Sequence, residues 1–226
     1  MLLGGASLFV WETNCVTILA PLPTTRRSRR FVQLLGGLIL YGFSDGLLVR
    51  ANLGLDPWDV LQQGLSRTFG LAIGTWSIIV GACVLLLWIP LRQRPGTGTL
   101  CNIVVIGLVI NLTISEFPLP RTLLVRFIVL FMAIALNGVA TGAYIGAELG
   151  PGPRDGLSVG IAARGVSLRL IRTIIELTVL IGGWLLGGTV GLGTVFYALM
   201  IGPITHVTIP RFRLSARASG YGSDAA

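Results

Sequence analysis

With 226 residues, 53% apolar and 12% charged side chains and a mean hydropathy of +0.83, the chain is too apolar for a water-soluble domain of its size. The formal charge of +8 comes from seventeen basic residues, all of them arginine. No basic patch with interleaved aromatics accompanies them, which argues against a nucleic-acid partner and for a lipid bilayer with anionic headgroups. The three cysteines, Cys15, Cys83 and Cys101, show neither a CxxC nor a Cys/His spacing, so neither a disulfide framework nor a metal site is expected.

In chain order, residues 1–25 read as an extension that is neither signal peptide nor span, because Glu12, Thr13 and Asn14 interrupt its apolar run. Apolar stretches of about 20 residues, enough to cross a bilayer, then follow near 31–51, 72–90, 99–118, 124–147, 169–189 and 193–210. Six spans are the simplest count. Between the first and second, and between the fourth and fifth, segments at 57–68 and 153–164 are too short and polar to cross. They are expected to form short interfacial or re-entrant helices. The end of the chain, 211–226, reads as a small, polar tail.

The two halves are copies of one unit. Ala51, Leu53, Gly54, Pro57, Asp59, Leu61 and Gly64 recur ninety-six residues later as Ala147, Leu149, Gly150, Pro153, Asp155, Leu157 and Gly160. Trp88 matches Trp184 in the same register. After a one-residue gap Gly96, Gly98 and Thr99 match Gly191, Gly193 and Thr194 at a spacing of ninety-five. The expected domains are therefore a membrane repeat over 26–118 and a second over 121–210.

Three spans per copy would make the second copy enter the bilayer from the opposite side, giving inverted repeats. Arginine placement supports this. With both termini in the cytoplasm, all of the seventeen arginines except Arg50, Arg67, Arg121 and Arg126 fall on cytoplasmic flanks. The fold class expected is thus an all-α polytopic membrane bundle of six spans in two inverted repeats.

The repeated Pro-x-Asp has two readings. In the first, Asp56 caps a short helix, Pro57 occupies its first turn and Asp59 lies at the third position, with Gly152, Pro153 and Asp155 repeating the arrangement. A carboxylate there meets unpaired N–H groups and the positive helix end, a contribution of roughly 0.3 to 1 kcal/mol. In the second, paired helix N-termini point into the bundle from opposite faces and hold a ligand or ion between the repeats. The copies differ where Trp58 becomes Arg154, which offers an ion pair, an anion site or simply another cytoplasmic arginine. Trp58, Leu61, Leu65 and Phe69 form an apolar stripe expected to face neighbouring spans or lipid, opposite Asp59, Gln62, Gln63 and Ser66.

Inside the spans, Asp45 and Glu176 are acids that the bilayer penalises by a few kcal/mol on insertion scales. Glu176 lies four residues after Arg172 and can pair with it on one helix face. Asp45 has no local partner, and a polar site inside the bundle or water access from outside would satisfy it. His206 reads as an interfacial side chain. Gly138, Gly142, Gly146 and Gly150 fall every fourth residue, with Gly42 and Gly46 echoing them, so the first and fourth spans are expected to cross on matched glycine faces. Gly96-x-Gly98-Thr99 and its copy lack the Lys-Ser/Thr of a phosphate loop and read as turns capped by Thr99 and Thr194.

Leu53-Gly54-Leu55-Asp56-Pro57-Trp58-Asp59-Val60-Leu61, the run from Trp88 to Gly96, and Gly150-Pro151-Gly152-Pro153-Arg154-Asp155-Gly156-Leu157 together resemble the bacterial YczE-like integral membrane proteins, related more loosely to the YitT group. The resemblance runs from Arg26 to Pro210 and implies a multi-span bacterial plasma-membrane protein without an established biochemical activity. Two functions follow as expectations. One is a transporter or permease for a small molecule or ion, with Asp45, Asp59, Asp155, Arg154, Pro57, Pro153 and Glu176 as candidate site residues. The other is a non-transporting membrane partner that stabilises another protein. No nucleophile and base pair or carboxylate dyad suggests an enzyme, and no cofactor is called for. Six short spans make a thin wall, which leaves a homodimer open.

Overall fold

A computed structural model describes residues 27–214. The extension expected over 1–25 and most of the tail expected over 211–226 lie outside the described residues. Within them the chain forms eight helices and no strand: α1 (Arg27–Ala51), α2 (Pro57–Phe69), α3 (Ile73–Leu86), α4 (Thr97–Glu116), α5 (Leu123–Gly146), α6 (Pro153–Ala162), α7 (Leu168–Leu185) and α8 (Leu192–Phe212). The helices α1, α4, α5 and α8 are long and apolar enough to cross a membrane. A fifth crossing results if α2 and α3, bent by 113° at their junction, are taken as one broken span. By itself α3 has 14 residues, roughly 21 Å at 1.5 Å per residue, short of a hydrocarbon core of about 30 Å. The 18-residue α7 carries Arg169, Arg172 and Glu176, which dilute its apolar character.

The two copies fold into the same succession of four helices, and their backbones agree in detail. Asn52 and Glu148, ninety-six apart, both take a left-handed conformation (φ 50° and 56°), and two residues on Gly54 and Gly150 do so at φ 118° and 122°. Only glycine enters that last region without strain. Each bend is held by the other copy: Gly193 N–H donates to Leu53 O (2.8 Å) and Gly98 N–H to Leu149 O (2.9 Å). Thr99 and Thr194 accept from the N–H of Gly96 and Gly191 (3.2 and 3.3 Å), so each caps its helix from the third position inside it.

At the centre α1 lies against α5, with α4 along α1 and α8 along α5. The glycine faces serve a different contact from the one their spacing predicts. Gly42 and Gly46 of α1 abut Ile106 and Thr113 of α4, while Gly138 and Gly142 of α5 abut Ile204 and Thr208 of α8. Gly146 meets the backbone at Phe212 and Arg213. Small residues therefore bring together the first and last helices of each copy. Among the glycines of α1 only Gly37, which meets Ala143 and Tyr144, lies against α5.

The apolar stripe of α2 faces a neighbouring helix and the outside, as expected, with Leu61 against Gly182 and Gly183 of α7. Asp59, Gln62 and Gln63 are buried, while Phe69 is exposed and Leu61 and Leu65 half-buried. Lipid is the apolar solvent here, so the polar face turns inward. The termini of the described chain are tied together: Arg30 donates to Ala147 O and Glu148 Oε2 (2.9 Å each) and Gln33 to Phe212 O (2.8 Å).

Candidate functional site

The bend over 52–56 carries the chain from the end of α1 to Asp56, the N-cap of α2. Asp56 Oδ1 accepts from Asp59 N–H at 2.6 Å and Pro57 occupies the first turn, as the capping reading requires. The second copy departs from it. Gly152 is the N-cap of α6 and offers no side chain, and Asp155 accepts from Tyr144 Oη (2.9 Å).

The two helix N-termini meet. Arg154, at the start of α6, donates to the second carboxylate oxygen of Asp56 at 3.3 Å, and its guanidinium lies 5.0 Å from the ring centroid of Trp58. With its amide nitrogen turned toward Asp59, Gln62 donates to Asp59 Oδ1 (3.1 Å) and accepts from Arg154 Nη2 (2.7 Å). Arg154 thus belongs to the interior, satisfied by one carboxylate, one amide and one aromatic face. Such a pair is net favourable only with this degree of geometric satisfaction, because removing two charges from water is costly.

A cavity of about 440 Å³ opens beside this pair, with walls drawn from all eight helices. Trp58, Asp56 and Arg154 form its polar end, and Tyr41, Tyr144 and Tyr197 line its central wall. On its α7 side are Arg172 and Glu176, which make the (i, i+4) pair expected from their spacing (2.9 Å). Arg172 also lies 3.8 Å from Asp155. Of the sequence candidates, Pro57, Pro153, Arg154, Asp155 and Glu176 line the cavity.

Asp45 and Asp59 do not line it; both are fully buried behind it. Asp45 accepts from Asn137 Nδ2 at 2.7 Å, the partner that its own helix did not supply. Asn137 also donates to Ser44 Oγ (3.0 Å) and accepts from Tyr197 Oη (3.0 Å), joining α1, α5 and α8 in one polar network. The second oxygens of Asp45 and Asp59 have no hydrogen-bond partner.

Sequence reasoning missed Asn137 and the three tyrosines. Repeat arithmetic held a signal: Tyr41 matches Asn137 and Asn102 matches Tyr197, so polar side chains recur at mid-helix in both copies. Among the described residues no group of three or more His, Cys, Asp and Glu could hold a metal.

An all-helical membrane protein built from two copies of one unit, with a charged cavity where their short helices meet, is the class that these features define. The chain belongs to the family of unknown function DUF6198, whose model matches residues 28–210. It is 43% identical over 174 residues to an uncharacterized protein of Haemophilus influenzae, covering 76% of this chain and 80% of that one. It is 35% identical over 185 residues to the uncharacterized membrane protein YczE of Bacillus subtilis (80% and 86% covered). With the uncharacterized protein YyaS of the same organism it shares 27% over 195 residues (82% and 96%). No solved structure is significantly similar.

Proposed function

We propose that this protein is a six-span permease of the bacterial plasma membrane whose two copies are inverted across the bilayer and bind a small molecule or ion between them. Both termini lie in the cytoplasm in this reading, and α3 and α7 complete the count of six crossings. The observation that carries it is the meeting of the α2 and α6 N-termini at Asp56 and Arg154 beside the 440 Å³ cavity. Two broken helix starts, one from each copy, converging at a charged cavity is the arrangement by which inverted-repeat transporters hold substrate near mid-membrane. Arginine placement agrees with the inversion. Arg27, Arg29, Arg30, Arg211 and Arg213 cluster where the ends of α1 and α8 are joined through Arg30, Glu148 and Arg213, and the opposite ends carry Arg50, Arg67, Arg121 and Arg126.

The test is a thermal-stability screen of purified protein against metabolites and ions, followed by uptake into proteoliposomes. A ligand at 100 times its dissociation constant adds roughly 2.7 kcal/mol. The shift and the uptake should both be lost in Asp155→Asn, whose carboxylate lines the cavity. If no compound shifts a well-folded sample, or if a bound compound is never carried across, the permease reading falls and a non-transporting membrane partner takes its place.

A further inference from the structure

The two copies close their outer seams differently. In the first copy α3 lies along α4: a side chain at Gly74 would collide with Gly107 O, and Gly74 N–H donates to Asn111 Oδ1 at 2.8 Å. In the second copy the matching helices α7 and α8 make no comparable contact. Gly202, the counterpart of Gly107, has no atom of another element within 4 Å of where its side chain would start, yet it lines the cavity. The cause is written in the sequence. Leu170 stands where the first copy has Gly74, and His206 where it has Asn111. A leucine cannot make the close approach that Gly74 makes, and exposed His206 bonds no α7 backbone. The second seam therefore stays open, with Ala198 and Gly202 exposed along it. Its outer flanks are apolar: Ile174, Leu177 and Ile181 on α7 and Val195 and Leu199 on α8 are all exposed.

From this seam we infer that the cavity is reached sideways from the bilayer, between α7 and α8, and that its ligand is an organic cation with an apolar tail. This rests on the permease reading of the cavity and adds the substrate class. The tail would lie between Ile175 and Ile201, which face the cavity from the two sides of the open seam. The charged head would meet three carboxylates, Asp56, Asp155 and Glu176, against two guanidiniums that those same carboxylates already engage. Tyr41, Tyr144 and Tyr197 add electron-rich rings of the kind that hold quaternary ammonium groups.

The experiment titrates alkyltrimethylammonium ions, from tetramethylammonium to the octyl compound, into protein in lipid nanodiscs, with empty nanodiscs subtracted. A neutral tert-butyl analogue and octyl sulfate serve as comparisons. Affinity should rise about fourfold per methylene as the tail is buried, and neither comparison compound should compete. Gly202→Phe, placed where there is open space, should flatten the chain-length gradient without lowering the melting temperature. If tetramethylammonium binds but the gradient is flat in the unaltered protein, the lateral opening is refuted while the permease reading stands. Tighter binding of the sulfate or equal binding of the neutral analogue refutes the cation. If no ammonium ion binds although a metabolite does, the inference fails alone; if nothing binds at all, both readings fail.

Discussion

Arg154 stacks on Trp58, the residue that occupies its own position in the other copy: the two lie ninety-six residues apart in sequence and 5.0 Å apart, guanidinium to ring, in the fold. This substitution inside the repeated motif is thus a contact. It places a fixed positive charge between Asp56 and the amide of Gln62 where a second Trp would have offered none.

That pair can be separated from the helix cap. Asp56→Asn keeps a capping oxygen for Asp59 N–H but removes the charge facing Arg154. Each of Asp56→Asn and Arg154→Met should lower stability by about 3 to 5 kcal/mol, since either leaves a buried partner uncompensated. The double variant should lose less than the sum. Thermal melts of the four proteins in one detergent give the coupling, and strict additivity would show that the two side chains do not interact.

Asn137 is the hub of the network behind the cavity. Asn137→Leu strips partners from Asp45 and Tyr197 at once, at roughly 1 to 3 kcal/mol for each buried group left unpaired, while Ser44 keeps its bond to Tyr41 O. The melting temperature should fall further than in Tyr197→Phe, which removes a single hydroxyl. Equal losses would mean that the network is not held through Asn137.

Glycine positions make a graded series. A side chain at Gly142 would start 2.7 Å from Thr208 Cβ, whereas at Gly36 it would meet nothing within 4 Å. Gly142→Val should therefore destabilise by at least about 1 to 3 kcal/mol through overpacking, and Gly36→Ala should be neutral. Reversal of that order in melting temperature would overturn the assignment of Gly142 to the α5–α8 contact.

Orientation is testable by cysteine labelling in intact cells, in a background lacking Cys15, Cys83 and Cys101. Gln63 is a poor probe, being buried with its side chain accepting from Thr189 N–H at 2.7 Å. Leu71 and Leu119 are exposed at one end of the bundle, and Arg94 and Ala163 at the other. An impermeant maleimide should label Leu71→Cys and Leu119→Cys before lysis and Arg94→Cys and Ala163→Cys only after it. The opposite pattern would reverse the proposed topology.

The helices themselves were legible because lipid imposes a simple code. The six apolar stretches and two Pro-x-Asp segments match the eight helices to within a few residues at most ends. The packing of α1 on α5 was legible, but the helices that use the glycine faces were not. Glycine spacing marks a face for close approach without saying which helix comes to it, and α4 and α8 took the faces expected to join α1 to α5. The inward polar face of α2 was legible from its period, since its apolar stripe was expected against spans or lipid. Asp45 lacked a visible partner because Asn137 lies ninety-two residues away, and no local pattern reports such a distance.

Divergence between copies has a second instance in the tryptophans. Trp88 is 2% exposed, lies over Gly156 and donates to Pro153 O (3.1 Å). Its counterpart Trp184 is 61% exposed, because Val60 stands where the other copy has Gly156 and leaves no shelf for a ring.

The Trp58–Arg154 contact also bears on how such a protein could arise. A half-length ancestor pairing with itself would set two identical side chains against each other at that spot, either two indoles or two like charges. An indole facing a guanidinium needs two different chains or one chain carrying both halves. Joining the copies end to end therefore freed this position to differ from itself, and with it the rest of the cavity wall.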